Sequence, residues 1–210
     1  MERPLLIGYY LTHRALRKDS ERLKAVVNKF HQYSQGEWVK IADWFDYHLK
    51  LVHFHHHGED EFFFPWIKER SAKFPRELQQ MDDEHKSLMK FMDKMQSMMQ
   101  KLKLGNSQMD DDEFKNIATA YSHLLVNHLD DEEKFVGIAI KEFTRDEVLA
   151  AEEQYRKMMT REQQNLSLAW LADVMTPDEL KDFFSMTPFF VKWIYKWKAK
   201  PAFDKMVSVI

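Results

Sequence analysis

Residues 53–66, HFHHHGEDEFFFPW, place four of the chain's ten histidines beside three acidic residues in an otherwise apolar stretch. In a helix, side chains four positions apart lie one above the other on the same face, close enough to share one metal ion. Three histidine and carboxylate pairs have this spacing: His55 with Glu59, His56 with Asp60, and His57 with Glu61. The stretch is therefore predicted to be a helix that presents metal ligands.

Helical phase separates these three pairs. At about 100° per residue, His55 and Glu59 share a stripe with apolar residues such as Trp44, whereas His57 and Glu61 lie on the opposite face. A carboxylate buried without a partner is strongly unfavourable or takes up a proton, so the inward pair indicates a bound cation. The other polar side chains of the stretch are expected on a solvated or ion-paired face, from which they can still orient ligands: His53, His56, His57, Asp60 and Glu61. Two of these, His56 and Asp60, are also candidates for additional ligands.

The same spacing recurs at His128 and Glu132, on a stripe that also carries Phe114, Leu125 and Phe135. This second pair is again predicted to face the core. Two inward pairs of one kind are the expected ligands of a single buried site.

Composition excludes several classes of protein. The 210 residues include 5 glycines, 6 prolines and no cysteine, and 31% of them are charged, which favours an all-α chain without disulfides or thiolate ligands. The formal net charge of −3 gives no indication of nucleic-acid binding. The sequence has neither the apolar run of a membrane span nor a signal-peptide pattern, so a soluble, cytoplasmic protein is expected.

Four long helices are predicted. The first covers 5–32, the second covers 37–69 with a bend at Pro65, and the third begins at Pro75. The fourth comes after a loop at Gly105–Asp111, whose aspartates can cap it.

Short connections between these helices favour an all-α fold, an up-down-up-down four-helix bundle with additional C-terminal helices. The bundle is assigned to residues 1–143 and the extension to 144–210. Antiparallel packing brings one inward histidine or pair from each helix to the same level: His13, His55, Glu59, His85, His128 and Glu132. Four imidazoles and two carboxylates suffice for two ions, and nitrogen and oxygen ligands suit iron or manganese, whereas zinc usually takes four ligands at one ion.

The order of these ligands, together with the strings HRALR, HHHGEDEFFFP, DDEH and HLDDEE, resembles the hemerythrin-like HHE cation-binding family over about residues 5–141. The resemblance implies a bundle that holds two oxo- or hydroxo-bridged iron ions, with manganese or zinc as the less favoured metals. In oxygen-carrying hemerythrins the third helix supplies two histidines four residues apart, and here the second of them is Met89. This departure argues against reversible oxygen carriage and leaves one iron open to water, peroxide or a tyrosinate. Tyr10 and Tyr121 are predicted near the ligand face.

The extension lies outside the resemblance. Thr144 to Glu147 and Thr176 to Glu179 have the pattern of capping boxes that open further helices. Residues 188–200 are aromatic and basic, and packing of these side chains over the bundle is favoured over contact with a membrane surface, a partner or a second copy.

The leading hypothesis is a di-iron protein that binds or reacts with dioxygen, nitric oxide or hydrogen peroxide, including a catalase-like activity. The alternative is a non-catalytic oxygen or iron sensor, or an iron store, that signals through the extension. A third interpretation is a structural bundle that holds zinc or manganese. The sequence does not select the metal, the small molecule or the oligomeric state.

Overall fold

The computed structural model describes residues 4–105 and 110–210, and every regular element in these ranges is helical. The four longest helices are α1 (Ile7–Asn28), α2 (Gln35–Gly58), α4 (Pro75–Lys103) and α5 (Asp111–Ala139). The shorter helices are α3 (Phe64–Arg70), α6 (Arg145–Met158), α7 (Arg161–Ala172), α8 (Pro177–Met186), α9 (Phe189–Ile194) and α10 (Lys200–Val207). The predicted all-α class is confirmed, and residues 106–109 of the predicted loop lie outside the described part of the chain.

Helix starts depend on local capping chemistry. Pro75 opens α4, and the Asp110 side chain accepts hydrogen bonds from two backbone N–H groups in the first turn of α5. The predicted capping boxes at Thr144 and Thr176 are both present, and Thr160 forms a third that opens α7. These caps divide the extension into short helices that can turn back over the bundle.

The predicted second helix is interrupted by a π turn. Residues Glu59–Phe63 form a π-helical segment between α2 and α3. Pro65 is the second residue of α3, two positions after that segment. Proline has no N–H and its ring crowds the carbonyl four residues earlier, so a wider turn before it relieves both defects. The chain thus accommodates Pro65 by widening the helix at Glu59, one of the predicted ligands.

The four long helices form a closed ring of contacts, in which α1 and α4 each pack against both α2 and α5. Two apolar clusters fill this bundle. Each of the four long helices, or the residues that continue it, contributes to both clusters. Examples are Leu16, Val52, Leu88 and Leu125 in the larger cluster, and Leu6, Phe62, Met81 and Phe135 in the smaller one. The predicted ligands lie between these members of the two clusters on every helix of the bundle, so they form a polar layer across the core.

The extension is attached to the outside of the bundle. Helix α7 packs on α1 and α2, α10 packs on α2, and α6 packs on the π turn. Asp173 forms salt bridges with Lys18 at 2.8 Å and with Arg22 at 2.7 Å. The Trp170 indole donates to the buried Asp19 carboxylate at 2.8 Å. Among the described residues, no helix is both long and apolar enough to cross a bilayer.

Candidate metal centre

All six predicted ligands are buried in the polar layer. Four of them, His13 from α1, His55 from α2, Glu59 from the π turn and Glu132 from α5, offer ligand atoms that all lie within 4.8 Å of one another. This is a four-ligand group with two nitrogens and two carboxylates. All four side chains are buried.

A second group lies beside the first and consists of His56, His85 and His128, whose ligand atoms also lie within 4.8 Å of one another. The rings of His56 and His85 are stacked with centroids 4.0 Å apart. His56 is 5% exposed, so it does not lie on the solvated face that was favoured for it and instead takes the position of the additional ligand that was the other interpretation. The signal in the sequence is a second apolar stripe on α2, where Phe45 and Leu49 are buried at helical spacing from His56.

The two glutamates lie between the groups. The Glu132 Oε2 atom is 3.4 Å from His13 Nε2 and 3.5 Å from His128 Nε2, so it faces one histidine of each group. Glu59 does the same on the other side, with Oε1 3.0 Å from His55 Nδ1 and Oε2 3.7 Å from His85 Nε2. Carboxylates in this position can bridge two ions.

Three of the imidazoles have a further carboxylate at the ring nitrogen Nδ1. Each accepting oxygen is close to Nδ1 of the ring: Glu133 to His13 at 2.9 Å, Asp60 to His85 at 2.9 Å, and Glu84 to His128 at 2.8 Å. A carboxylate on one ring nitrogen fixes the tautomer and directs Nε2 toward a metal. Glu84 and Glu133 were not predicted for this role, although each is a sequence neighbour of a predicted ligand.

The charges in the layer suit a cation. Burial opposes ionisation of Glu132, but His13, His55 and His128 hold the pKa of that carboxyl well below its usual range. Burial and the neighbouring Glu132 raise the pKa of Glu59 well above its usual range. Two carboxylates therefore share a site in which only one is readily ionised, and a divalent ion would allow both to be charged.

Two of the histidines are kept in the neutral form that binds metal. Burial and the neighbouring imidazoles hold the pKa of His55 and of His56 well below the usual range, so both rings are neutral at physiological pH. His13 differs, since burial lowers its pKa but Glu132 and Glu133 raise it above the usual value. A metal at its Nε2 would replace that proton.

The layer also contains unpaired polar atoms. Within residues 4–105 and 110–210, eight buried ligand atoms have no hydrogen-bond partner, and they belong to His13, His55, His56, Glu59 and Glu132. Buried polar atoms without partners are costly, and clusters of them indicate a missing ligand. The nitrogen and oxygen donors present fit iron or manganese, as the sequence predicted.

Tyr9 packs against the ligand His13, although Tyr10 and Tyr121 were the tyrosines named for the site. Its ring centroid is 4.1 Å from that of His13, and its buried hydroxyl has no hydrogen-bond partner. Burial, Glu132 and Glu59 raise its pKa, so the phenol stays protonated. Tyr10 lies behind Tyr9, with ring centroids 5.1 Å apart.

Tyr121 belongs to a separate polar network. Its hydroxyl is 2.7 Å from His48 Nε2, and the other nitrogen of that ring is 3.1 Å from Asp19. The prediction that Tyr121 lies near the ligands is therefore corrected, and His48 is a buried histidine with a hydrogen-bond partner at each ring nitrogen. The signal that would have separated Tyr121 from the ligands is the seven-residue distance to His128, about two helical turns.

Met89 does not face the site. Met89 is 48% exposed, whereas the argument from the sequence needs the residue at this position to face the ligands. In oxygen carriers a histidine is expected at this position of the third helix. Here His56, from α2, supplies a further imidazole to the group instead. The structure thus gathers five imidazoles rather than four, and the argument that Met89 leaves one ion short of a histidine is wrong.

A cavity of about 240 Å³ adjoins the four-ligand group. One wall contains His55, Glu59 and Tyr9, and the facing wall includes Tyr155 from α6 and Trp170 from α7. The volume is sufficient for several water molecules or a small ligand. The extension, which carries none of the predicted ligands, therefore builds part of the approach to the site.

The fold and the site define a helical-bundle protein with a buried histidine and carboxylate centre that can hold metal. The hemerythrin HHE cation binding domain matches residues 9–137. That match covers more than half of the chain, and the protein belongs to the hemerythrin HHE family. Comparison with curated proteins gives no match, and neither does comparison with solved structures.

Proposed function

We propose that this protein holds two iron ions in the polar layer and binds or reacts with a small oxidant, namely dioxygen, nitric oxide or hydrogen peroxide. The observation that carries the proposal is the joining of two ligand groups by Glu59 and Glu132, beside a cavity that reaches one of them. Iron would supply the redox chemistry when bound.

The ligands divide between the two ions by their grouping. His56, His85 and His128 would hold one ion, and His13 and His55 would hold the other. The carboxylates between the groups would bridge the ions, and this role is supported by the absence of a hydrogen-bond partner at all four of their oxygen atoms. The alternating order of the apolar clusters along successive helices supports the up-down-up-down topology that brings these residues to one level.

The protein's own residues prepare the cavity for a small polar guest. Aromatic and aliphatic side chains line most of it, including Leu51, Phe54 and Trp170, and they restrict water. The protonated Tyr9 hydroxyl lines the same cavity close to Glu132, where it can donate a hydrogen bond to an oxygen atom of the guest. A largely apolar cavity that also carries the Tyr9 hydroxyl suits a small oxygen-containing molecule.

The correction at Met89 changes what is expected of the reaction. Five imidazoles and two bridging carboxylates leave no histidine gap, so the sequence-based argument against reversible dioxygen binding no longer applies. Dioxygen binding and peroxide decomposition are both retained as candidate activities. Peroxide decomposition to water and dioxygen needs no further reductant.

The test begins with metal content and the optical spectrum of the purified full chain loaded with ferrous iron under nitrogen. We expect about two iron ions per chain and near-ultraviolet charge-transfer bands after oxidation, with changes on addition of azide or nitric oxide. Dioxygen evolution after addition of peroxide then measures turnover, and a reversible spectral change between air and nitrogen measures oxygen binding.

Matched variants make the assignment falsifiable. Glu59→Gln and Glu132→Gln should lose most of the iron, because each removes a bridging charge with little change of shape. Glu61→Gln, two residues from Glu59 on an exposed position, should retain it. Equal iron content in all three variants, or one ion of zinc in the native protein, would overturn the di-iron proposal.

A further inference from the structure

The C-terminal segment Phe189–Val207 is one nearly continuous helical path, formed by α9, a π turn at Tyr195–Ala199 and α10. Its inner side packs on the bundle. The residues that contact the larger apolar cluster or belong to it are Tyr195, Ala199, Phe203, Met206 and Val207. These five residues are the ones that attach the segment to the bundle. Large apolar residues on its other side are therefore not explained by packing within the chain.

The outer side of the same path carries four more aromatic side chains. Phe189 is 87% exposed, Phe190 50%, Trp193 63% and Trp197 64%. Single exposed apolar residues are ordinary, but four aromatic rings within nine residues on the outer side of a docked helix are characteristic of an interaction surface. The prediction that the aromatics of residues 188–200 pack over the bundle therefore holds for Tyr195 and does not hold for these four.

The same outer side is basic. Residues 188–210 contain five lysines and one aspartate, in a chain whose formal net charge is −3. Lys200 pairs with that aspartate, Asp204, at 2.6 Å. Lys192, Lys196 and Lys198 are exposed and form no ion pair with the part of the chain that the structure describes. Positive charge is thus left available where the exposed rings are.

We infer that this outer face, formed by Phe189, Phe190, Trp193, Trp197 and the three unpaired lysines, docks the protein on the surface of an anionic phospholipid bilayer. Tryptophan and phenylalanine rings insert at the level of the lipid headgroups, and lysines are attracted to an anionic surface. Attachment would be peripheral, since no described helix can cross the bilayer. The high exposure of each ring favours insertion into lipid over docking in a protein groove, where the rings would need a preformed set of pockets. Docking of this face does not depend on the metal centre.

The test is co-sedimentation of the full chain with vesicles of phosphatidylcholine alone and of phosphatidylcholine mixed with phosphatidylglycerol. We expect binding to the mixed vesicles, with a blue shift of tryptophan emission, and at least about tenfold weaker binding to the neutral vesicles. Trp193→Ser with Trp197→Ser should abolish the blue shift and weaken binding at least tenfold.

A charge-matched pair of triple variants separates this face from general attraction. Lys192→Gln, Lys196→Gln and Lys198→Gln together should weaken binding to the mixed vesicles about tenfold or more. The control replaces the exposed Lys68, Lys90 and Lys101 by Gln and should leave binding within twofold. All altered side chains are exposed, so circular dichroism should be unchanged in every variant.

Three results would overturn the inference. They are absence of binding to either kind of vesicle, equal binding by all variants, and a concentration-dependent dimer that the two tryptophan changes abolish without any lipid binding. The last result would assign the face to a second copy of the chain.

Discussion

His56 is the residue at which stability and the proposed function conflict most directly. Both of its ring nitrogens are buried without a hydrogen-bond partner. Burial and the neighbouring His85 hold its pKa well below the usual range, so the ring is neutral and destabilises the metal-free fold as an unsatisfied polar group. An unsatisfied ring among other imidazoles is what the di-iron proposal expects of a metal ligand.

Replacing His56 by Leu should therefore have opposite effects on the two forms of the protein. The free energy of unfolding of the metal-free protein should rise by about 1–2 kcal/mol, because two unsatisfied nitrogens are replaced by an apolar side chain of similar size. Iron content should fall well below that of the wild type. Urea unfolding of the metal-free protein and iron analysis of the loaded protein measure the two effects. A variant that binds iron normally would remove His56 from the ligand set.

The π turns are the elements that connect local sequence to the site. Glu59 begins a π turn six residues before Pro65, and Tyr195 begins one six residues before Pro201. In both places the wider turn precedes a residue that cannot continue the usual hydrogen-bonding pattern. The first π turn also has a tertiary partner, because the Tyr155 ring of α6 lies directly against Gly58.

Gly58→Ala tests this contact between helix and extension. A Cβ atom at Gly58 would lie 2.4 Å from the Tyr155 hydroxyl oxygen, so Tyr155 must move. We expect a loss of about 1–3 kcal/mol in the free energy of unfolding. Gly137→Ala is the matched control, since nothing lies within 4 Å of its Cβ position in α5, and it should stabilise the protein by about 0.5–1 kcal/mol. Urea denaturation followed by circular dichroism measures both, and similar effects in the two variants would contradict the contact.

At the scale of the whole molecule, the polar layer divides the core and the extension covers one side of it. Polar and ionic contacts from α1 attach the extension, chiefly through Asp19 and Asp173. Tyr155 and Trp170 then complete the cavity beside the ligands. Burial raises the pKa of Tyr155 to about 12, and the charge of the nearby Glu59 contributes to the rise.

Asp173→Asn should loosen this attachment in a manner that depends on pH. Burial opposes ionisation of Asp173, but Lys18 and Arg22 hold its pKa below the usual value of 3.8. A carboxyl whose pKa is lowered on folding stabilises the protein above the unfolded value and loses that contribution as pH falls through the folded value. The variant should lose about 1 kcal/mol at pH 7, and the difference from wild type should shrink only below pH 3.8. Thermal unfolding against pH measures it, with the exposed Asp182→Asn as a control that should change little.

Deletion of residues 177–210 should leave the iron centre intact, because all proposed ligands and the cavity wall precede this region. The deletion uncovers the surface on α2 where Phe203 and its neighbours pack, so an apolar dye such as ANS should bind more strongly. Iron content and dye fluorescence measure the two effects. Loss of iron in a truncated protein with native helix content would show that the end of the chain supports the site.

Helical periodicity and local capping chemistry could be assigned from the amino-acid sequence alone. The all-α class, the caps at Asp110, Thr144 and Thr176, and the inward orientation of His55, Glu59, His128 and Glu132 all depend on residues within a few turns of each other. Such features can be predicted because backbone geometry alone relates side chains three or four positions apart.

Contacts between helices set the remaining features of the site. His56 is buried because α2 packs on two sides rather than one, and Met89 is exposed because none of the described helices covers that side of α4. The carboxylates of Glu84 and Glu133 reach His128 and His13 across helix boundaries, over distances of 44 and 120 residues in the sequence. The periodicity of a single helix gives the direction of a side chain but not the neighbour it meets, so these partners could be assigned only once the helices were packed together.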